Sequence, residues 1–489
     1  IAILKSYITN TFDDILVKLI DLNEIYNKLI LEKLKQGYEN SSKQGNENHI
    51  EVVISAYKIL LKAKKGESSF WEENKVNIQK LSRRILNWLN VRREKYSRMD
   101  FVPQSEISDL IPLLLNEKPS MIGFSIMYSS QYPFAMALVK CLKRQLEIPI
   151  LIGGASAEYM SMVHKKAYKE SGLYDFLLKG EGEIPLAKLI RSFKNEGMSK
   201  TKLKQSNTVE INNSEVICNL DEIPFPNYFD FNLSEYLNSF INFQIIGSRG
   251  CSWGKCTYCT LYKCSDYRAR SIENIVNEIE YLSATFNIFN FQFFDSWLPP
   301  SRLRALSEEI LRRDINIRFG FFARPIRAYN PELMKLAYRA GAYKVRWGVE
   351  SGSPHVIDLM NKGTKVEHFE EVMKWCHEIG FNNAVQIIIG FPGETEDDYC
   401  QTVGWIEKAR EYITSVNPSL FLLMKNSDIY HNPHKYGIRK LPENLFQYST
   451  GTDIPFKRLK GANDNEVIKR YTHFRQFINE LKLDRAYSE

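Results

Sequence analysis

From Ser120 onward the hydrophobic pattern of the chain becomes regular. "MIGFSIMY" is an unbroken apolar run of strand length, "FAMALVKCLKRQLE" repeats apolar residues every three to four positions, and "IPILIGG" is a second apolar run ending in glycines. A further helical stretch and then "YDFLLKGEGE" follow. Such alternation of buried strands with one-faced helices predicts a parallel sheet whose binding loops lie at its carboxyl edge. "LDEIPFPNYFDFN" (residues 220–232) is rich in proline and aromatics and reads as a linker between domains.

A second alternation starts near Ile241. Strands are predicted at Phe243–Gly247, Asn290–Phe294, Arg318–Ala323, Lys344–Val349, Ala384–Ile389 and Ser419–Leu423, with helices between them. In "NPELMKLAYRAG", Asn330 caps a helix, Pro331 fills its first turn and Gly341 closes it. Six strand–helix repeats make three-quarters of a (β/α)8 barrel, a fold whose sites lie at the carboxyl ends of its strands. Upstream, "IAILKSYIT" reads as the tail of a helix, "ILVKLIDLN" (residues 15–23) alternates like a strand, and residues 23–35 and 73–95 are helix-prone around the polar "GYENSSKQGNENH". The expected architecture is α/β: a Rossmann-like domain with a helical insertion over 1–219, a linker over 220–240, a partial TIM-like (β/α)6 barrel over 241–424, and a C-terminal cap of weak periodicity over 425–489.

Composition narrows this picture only slightly. A chain of 489 residues with 44% hydrophobic and 25% charged residues has the balance of a multidomain globular protein. The net charge of +7 is spread among almost as many acids, so no nucleic-acid footprint and no membrane partner are expected. Eight cysteines in so long a chain do not form a disulfide framework, and the reading is cytoplasmic. Cys141, Cys376 and Cys400 fall singly in or beside predicted helices, whereas "GSRGCSWGKCTYC" gathers Cys251, Cys256 and Cys259 directly after the first barrel strand. Zinc needs a fourth ligand, for which Cys264 or a distant histidine would have to serve. An iron–sulfur cubane held by three thiolates instead leaves one iron open to a ligand.

Taken together, "SRGCSWGKCTYC", "YRARSIENIVNEIEYL", "GVESGS", "LMNKGT" and "GFPGETEDDY" resemble the radical S-adenosylmethionine superfamily, and within it the cobalamin-binding subclass. The usual superfamily spacing is Cys-x3-Cys-x2-Cys, so the x4 gap here is one residue longer. Related peptide-maturation enzymes carry still longer gaps around "WG". The resemblance implies that Cys251, Cys256 and Cys259 hold a [4Fe–4S] cluster. Its open iron would chelate S-adenosylmethionine, whose reductive cleavage gives a hydrogen-abstracting 5′-deoxyadenosyl radical. It further implies that Tyr258 lies against the adenine and Asp295 near the methionyl amine. Arg324 or Arg346 would pair with the methionyl carboxylate. Glu350 and Ser351 match ribose-contacting positions. Gln386 lies in the fifth strand, and Gly390 and Pro392 in "GFPGE" would let the backbone approach the nucleoside. Each position has a plain alternative: loop packing for Tyr258, a helix cap for Asp295, an internal ion pair for the arginines, a Pro-Gly turn for residues 390–394.

In the cobalamin-binding subclass a pattern similar to "IAILKSYI…LVKLIDLN" follows the first strand, which implies that this strand preceded Ile1. The corrin and its nucleotide tail would lie on the loops bearing Ser125, Ser129, Gln131, Gly153, Gly154, Ala155, Gly180 and Glu181. No Asp-x-His-x-x-Gly is present, so base-off cobalamin without a histidine ligand is expected. The implied function is C-methylation of an unactivated carbon through methylcobalamin, fed by an external one-electron donor such as flavodoxin or ferredoxin. "LMNKGT…MKWCHEIGF…GFPGETEDDY" is similar to peptide-modifying enzymes, so the substrate is expected to be a peptide or small natural product. The alternatives are a cobalamin radical enzyme that rearranges or cyclises without methyl transfer, and a zinc-stabilised binding module. Tyr430, His431, His434 and Tyr436 are candidates either for a channel lining or for surface packing.

Overall fold

The computed structural model describes residues 1–40, 85, 89, 102–128, 131–155, 173–196, 208–212, 215–233, 236, 241–260, 266–441 and 454–484. Ser129, Cys264, His49, His164 and nearly all of the expected helix over 73–95 lie outside them. One compact unit gathers Ile1–Ile217 and Ile223–Ile241; a second gathers Cys218–Glu222, Asn242–Leu445 and Asp453–Glu489.

The first unit is built on four parallel strands in sequential order: β1 (Ile122–Ser125), β2 (Ile150–Gly153), β3 (Phe176–Lys179) and β4 (Val209–Asn212). The first three are the predicted runs. The last, "VEIN", is half polar and escapes a search for apolar runs. Helix Tyr132–Lys143 turns Ala135, Met136, Leu138, Val139 and Leu142 inward, the three-to-four spacing expected of one buried face. The predicted helix at the N-terminus spans Ala2–Thr11. The strand expected at residues 15–23 is corrected. Residues 15–20 belong to no sheet, and helix Leu22–Asn40 begins before Asn23. Alternation is there, with Leu16 94% exposed and Leu19 buried. However, the Leu19 amide donates 2.7 Å to the Asp230 carboxylate, which also takes the Lys5 ammonium at 2.5 Å. A carboxylate tether does there what a neighbouring strand would have done.

The second unit opens with β5 (Phe243–Ile245) and a short antiparallel pair, β6 (Ser248–Arg249) with β7 (Arg268–Ala269), that brackets the cysteine segment. It continues through β8 (Asn290–Phe293), β9 (Arg318–Ala323), β10 (Ala342–Glu350), β11 (Asn382–Ile389) and β12 (Ser415–Leu420). All pair in parallel in the order β12-β11-β10-β9-β8-β5, an open six-stranded arc. Five strands fall where predicted. The sixth begins four residues nearer the N-terminus and contains Pro418, a residue that does not mark a strand from sequence. As an edge strand, β12 tolerates a residue without an N–H.

The predicted caps form. Asn330 accepts from the Leu333 amide, and Gly341 has φ +97, with Ile317 carbonyl oxygen 1.9 Å from where a Cβ would stand. The C-terminal part is more ordered than its weak periodicity suggested. It forms an antiparallel pair, β13 (Ile438–Lys440) with β14 (Phe456–Arg458), then helix Asp464–Glu480, which buries Val467, Arg470, Phe474 and Ile478. Among the described residues no helix is long and apolar enough to cross a membrane.

Candidate functional site

The cysteine segment leaves the sheet at the carboxyl end of β5, the edge to which sites in this architecture are confined. Gly250 (φ +79) and Gly254 (φ +58) adopt left-handed backbone on either side of Cys251, so the four-residue gap is closed by a turn that needs glycine. All three cysteines are free thiols, half-buried. Burial pushes the Cys256 thiol up to about 11; the Lys362 and Arg324 cations pull it down, while Cys259 and Cys251 push it up. Cys256 thus lies within electrostatic reach of the other two sulfurs and of two cations.

Two stretches grip this loop. From the end of β8, Asp295 accepts from the Gly247 amide at 3.0 Å and from the Ser248 hydroxyl. Ser296 donates to the Gly250 carbonyl at 2.7 Å, and Trp297 Nε1 donates to Ser252 at 2.8 Å. From the segment "LMNKG", the Met360 carbonyl accepts from the Thr257 amide at 3.0 Å and the Leu359 carbonyl from the Thr257 hydroxyl at 2.9 Å. Asn361 donates to the Lys255 carbonyl and accepts, through its own carbonyl, from Trp253 Nε1, both at 3.0 Å. Between the two grips, Arg324 lies 4.0 Å from the Trp253 ring centroid and 5.0 Å from that of Trp297. One of its terminal nitrogens donates to the Lys362 and Gly363 carbonyls at 2.5 and 3.0 Å, and its Nε is buried without a partner. Gly363 has φ +66, and a Cβ there would stand 2.1 Å from the Trp253 ring.

Glu350 ends β10 with φ +67, unusual for a residue with a side chain, at a register shift against β11. Its carboxylate holds Lys362 at 2.6 Å, and Lys362 reaches the Tyr258 hydroxyl at 3.3 Å. Gly348 makes room: a Cβ there would stand 2.8 Å from both Glu350 Oε1 and Lys362 Nζ. Burial, with the negative charge of Glu350 beside it, lifts the Tyr258 phenol well above its ordinary value. The Tyr258 ring meets Phe391 edge to face at 6.1 Å.

The residues singled out in the sequence therefore divide. Tyr258, Asp295, Arg324 and Glu350 are brought to the cysteine loop. Arg346 lies along β10 with its guanidinium 5.4 Å from the Phe322 centroid. Gln386 is half-buried in β11, between Gly348 and Asn417 on the neighbouring strands. The Ser351 hydroxyl is engaged with Thr402 at 3.0 Å and accepts from the Ser353 amide at 3.1 Å, a helix-cap network. Gly390 (φ +77) does approach closely, but what it meets is Val467: a Cβ would stand 2.3 Å from that side chain. Its carbonyl accepts from Arg458 at 2.7 Å and its amide donates to Glu394 at 2.9 Å, with Pro392 buried beside it. Burial raises the Glu394 carboxyl to about 7, against the pull of the Gly390 amide and Arg470. Ser296, Trp297, Asn361 and Lys362 were not singled out; "LMNKGT" and "FFDSW" held the signal, but nothing in the sequence pairs either stretch with the cysteines. Tyr436 is buried with its hydroxyl on Asp428 at 2.5 Å, and His431 and His434 are exposed.

In the first unit, Ser125, Gly153, Gly154, Ala155, Gly180 and Glu181 all lie at the carboxyl edge of β1–β3. Gly154 (φ +96) packs on the backbone of Ile126, 2.5 Å from where a Cβ would be, and Gly180 has φ +82. The Gln131 side-chain Oε1 accepts from the Met127 and Tyr128 amides at 2.9 and 3.0 Å, so this side chain shapes the rim rather than standing open.

Residues 245–406 match the family model described as the Radical SAM superfamily. An uncharacterized methyltransferase of Pyrococcus horikoshii is 24% identical over 312 residues, covering 62% of this chain and 67% of its own length. Among solved structures, the radical S-adenosylmethionine methyltransferase TsrM of Kitasatospora setae superposes with a TM-score of 0.58 at 17% identity, over 76% of this chain and 80% of that one. The cobalamin-dependent S-adenosylmethionine radical enzyme OxsB superposes with a TM-score of 0.61 at 18% identity, over 76% of this chain and 60% of that one. The chain thus carries a radical SAM domain, and its fold is that of these two enzymes. The [4Fe–4S] cluster that such a domain implies fits the donor set, three clustered thiols beneath two cations. Among the described residues no three His, Cys, Asp or Glu converge closely enough for a single metal ion. A cubane gives each thiolate an iron of its own and does not need them to converge on one.

Proposed function

We propose that this radical SAM protein is a cobalamin-dependent C-methyltransferase acting on an unactivated carbon of a peptide or other natural product. The observation that carries the reading is the gripped three-thiol loop at the carboxyl edge of an all-parallel barrel sheet, in a chain that also holds a parallel-sheet unit with a glycine-lined carboxyl rim. The names of the Pyrococcus relative and of TsrM support methyl transfer, and that of OxsB supports cobalamin. When bound, the cluster and S-adenosylmethionine supply a carbon-centred oxidant and cobalamin supplies the methyl group.

The chain's own residues do the positioning. Cys251, Cys256 and Cys259 supply the thiolates, and Lys362 and Arg324 offset their charge. Asp295, Ser296 and Trp297 on one side, and Leu359–Gly363 on the other, hold the loop rigid, since a site held loosely loses most of its advantage in proximity. Arg324 Nε is the buried donor left for a carboxylate, and the Tyr258 ring is the face left for adenine. Ser125, Gly153, Gly154, Ala155, Gly180 and Glu181 would receive the corrin, with no histidine to the metal.

The test is product counting after anaerobic reconstitution with iron, sulfide and cobalamin, using candidate peptides. One S-adenosylhomocysteine and one 5′-deoxyadenosine per methylated product is expected. 5′-Deoxyadenosine without S-adenosylhomocysteine would replace methylation by rearrangement or cyclisation.

A further inference from the structure

We propose that the cationic face of the β13–β14 hairpin is the docking surface for an acidic one-electron donor protein. The inference rests on the reading of the cysteine loop as a cluster site and adds to it the route by which the electron arrives. The short helix Asp428–His431 that precedes the hairpin is joined to that loop: its Ile429 amide donates 3.0 Å to the carbonyl of Thr257, which lies between Cys256 and Cys259. The next residue, Tyr430, carries the Lys440 ammonium 4.1 Å from its ring centroid, and Lys435 lies 5.3 Å from that of Tyr436. On the loop itself Lys255 is exposed, 5.1 Å from the Trp253 centroid.

The hairpin is charged in a way that folding alone does not favour. Arg439 stands directly opposite Lys457 in the antiparallel register, and both are exposed. Like charges facing across a ladder are destabilising. Among the described residues Arg439, Lys440, Lys457 and Lys460 have no carboxylate partner, whereas the neighbouring Arg458 is paired with Asp464. Of the acids described nearby, Asp428 already meets the Tyr436 hydroxyl and Asn432, and Asp464 meets Arg458. Cations left open beside the loop that would hold the redox centre complement an acidic flavoprotein such as flavodoxin, and steer its encounter. In the step itself the donor is oxidised by one electron and the cluster reduced by one; no bond forms or breaks.

The experiment uses the full chain and a dye-labelled, acidic flavodoxin. Binding is expected to weaken about tenfold or more between low salt and 0.3 M salt, because exposed charges are screened within a few ångströms there. Arg439→Glu should weaken binding by a similar factor while raising the melting temperature, since it turns a repulsive cross-strand pair into an attractive one. A variant that merely misfolded would lower both. Cluster reduction by flavodoxin should slow in parallel, with reduction by dithionite unchanged. Unchanged flavodoxin binding in the variant, or salt-sensitive binding of polyglutamate in place of flavodoxin, would overturn the proposal. Failure of the wild type to cleave S-adenosylmethionine with dithionite would instead count against the cluster reading, and the binding measurement would still decide the docking face.

Discussion

Lys362 shows how much one side chain carries here. Its ammonium is buried with the Glu350 carboxylate at 2.6 Å, and it also touches Tyr258. Burial disfavours its charge, and Glu350 together with Cys256 more than restores it. Lys362→Met leaves a buried carboxylate unpaired on a residue already at φ +67, and should cost about 3–5 kcal/mol in denaturant unfolding. Adding Glu350→Gln should recover part of that loss. Gly363 and Gly404 form a second contrast. Gly363→Ala drives a Cβ into Trp253 and should lower both the melting temperature and the iron bound per chain. At Gly404, inside helix Glu396–Ala409, nothing lies within 4 Å of an added Cβ. Gly404→Ala should therefore stabilise by about 0.5–1 kcal/mol with iron content unchanged.

Among the elements, helix Glu396–Ala409 is fixed by a capping box in which Thr395 and Asp398 bond reciprocally. Burial pushes the Asp398 carboxyl up, but bonds from Ser353, Thr395 and His355 outweigh it and hold it down at about 2. Because the folded value lies below the ordinary one, the stabilisation is complete above about pH 4 and is lost as pH falls toward 2. The shift corresponds to about 2 kcal/mol. Unfolding free energy should drop by that amount across this window in the wild type, and Asp398→Asn should flatten the drop. Elements were also what the sequence disclosed best. The five barrel strands that were located correctly are short stretches rich in aromatic and aliphatic residues between helix-forming segments, signals local to each stretch. Residues 15–20, β4 and β12 were misplaced or missed for a shared reason: what fixes them lies elsewhere in the chain. A carboxylate at Asp230, a neighbouring strand and an edge that accepts Pro418 leave no local trace.

For the molecule as a whole, the three cysteines were legible because their spacing is compact, and Tyr258 because it lies inside the motif. The grip on the loop was not, since Asp295–Trp297 and Leu359–Gly363 are separated from it by tens of residues and only the fold joins them. Nor was the role of the C-terminal part, whose Arg458 and Val467 close on the Gly390 turn. Arg458→Gln should loosen that turn. A lower melting temperature with the iron bound per chain unchanged is expected, because Arg458 holds the Gly390 carbonyl at 2.7 Å and the turn lies outside the thiolate set.

The most direct measurement is 5′-deoxyadenosine formation from S-adenosylmethionine by the anaerobically reconstituted chain with dithionite, wild type beside Cys256→Ala. The account predicts a brown, cluster-bearing wild type that forms 5′-deoxyadenosine, and a variant that forms none. A wild type without the thiolate–iron chromophore, or a Cys256→Ala chain that still cleaves S-adenosylmethionine, would contradict it.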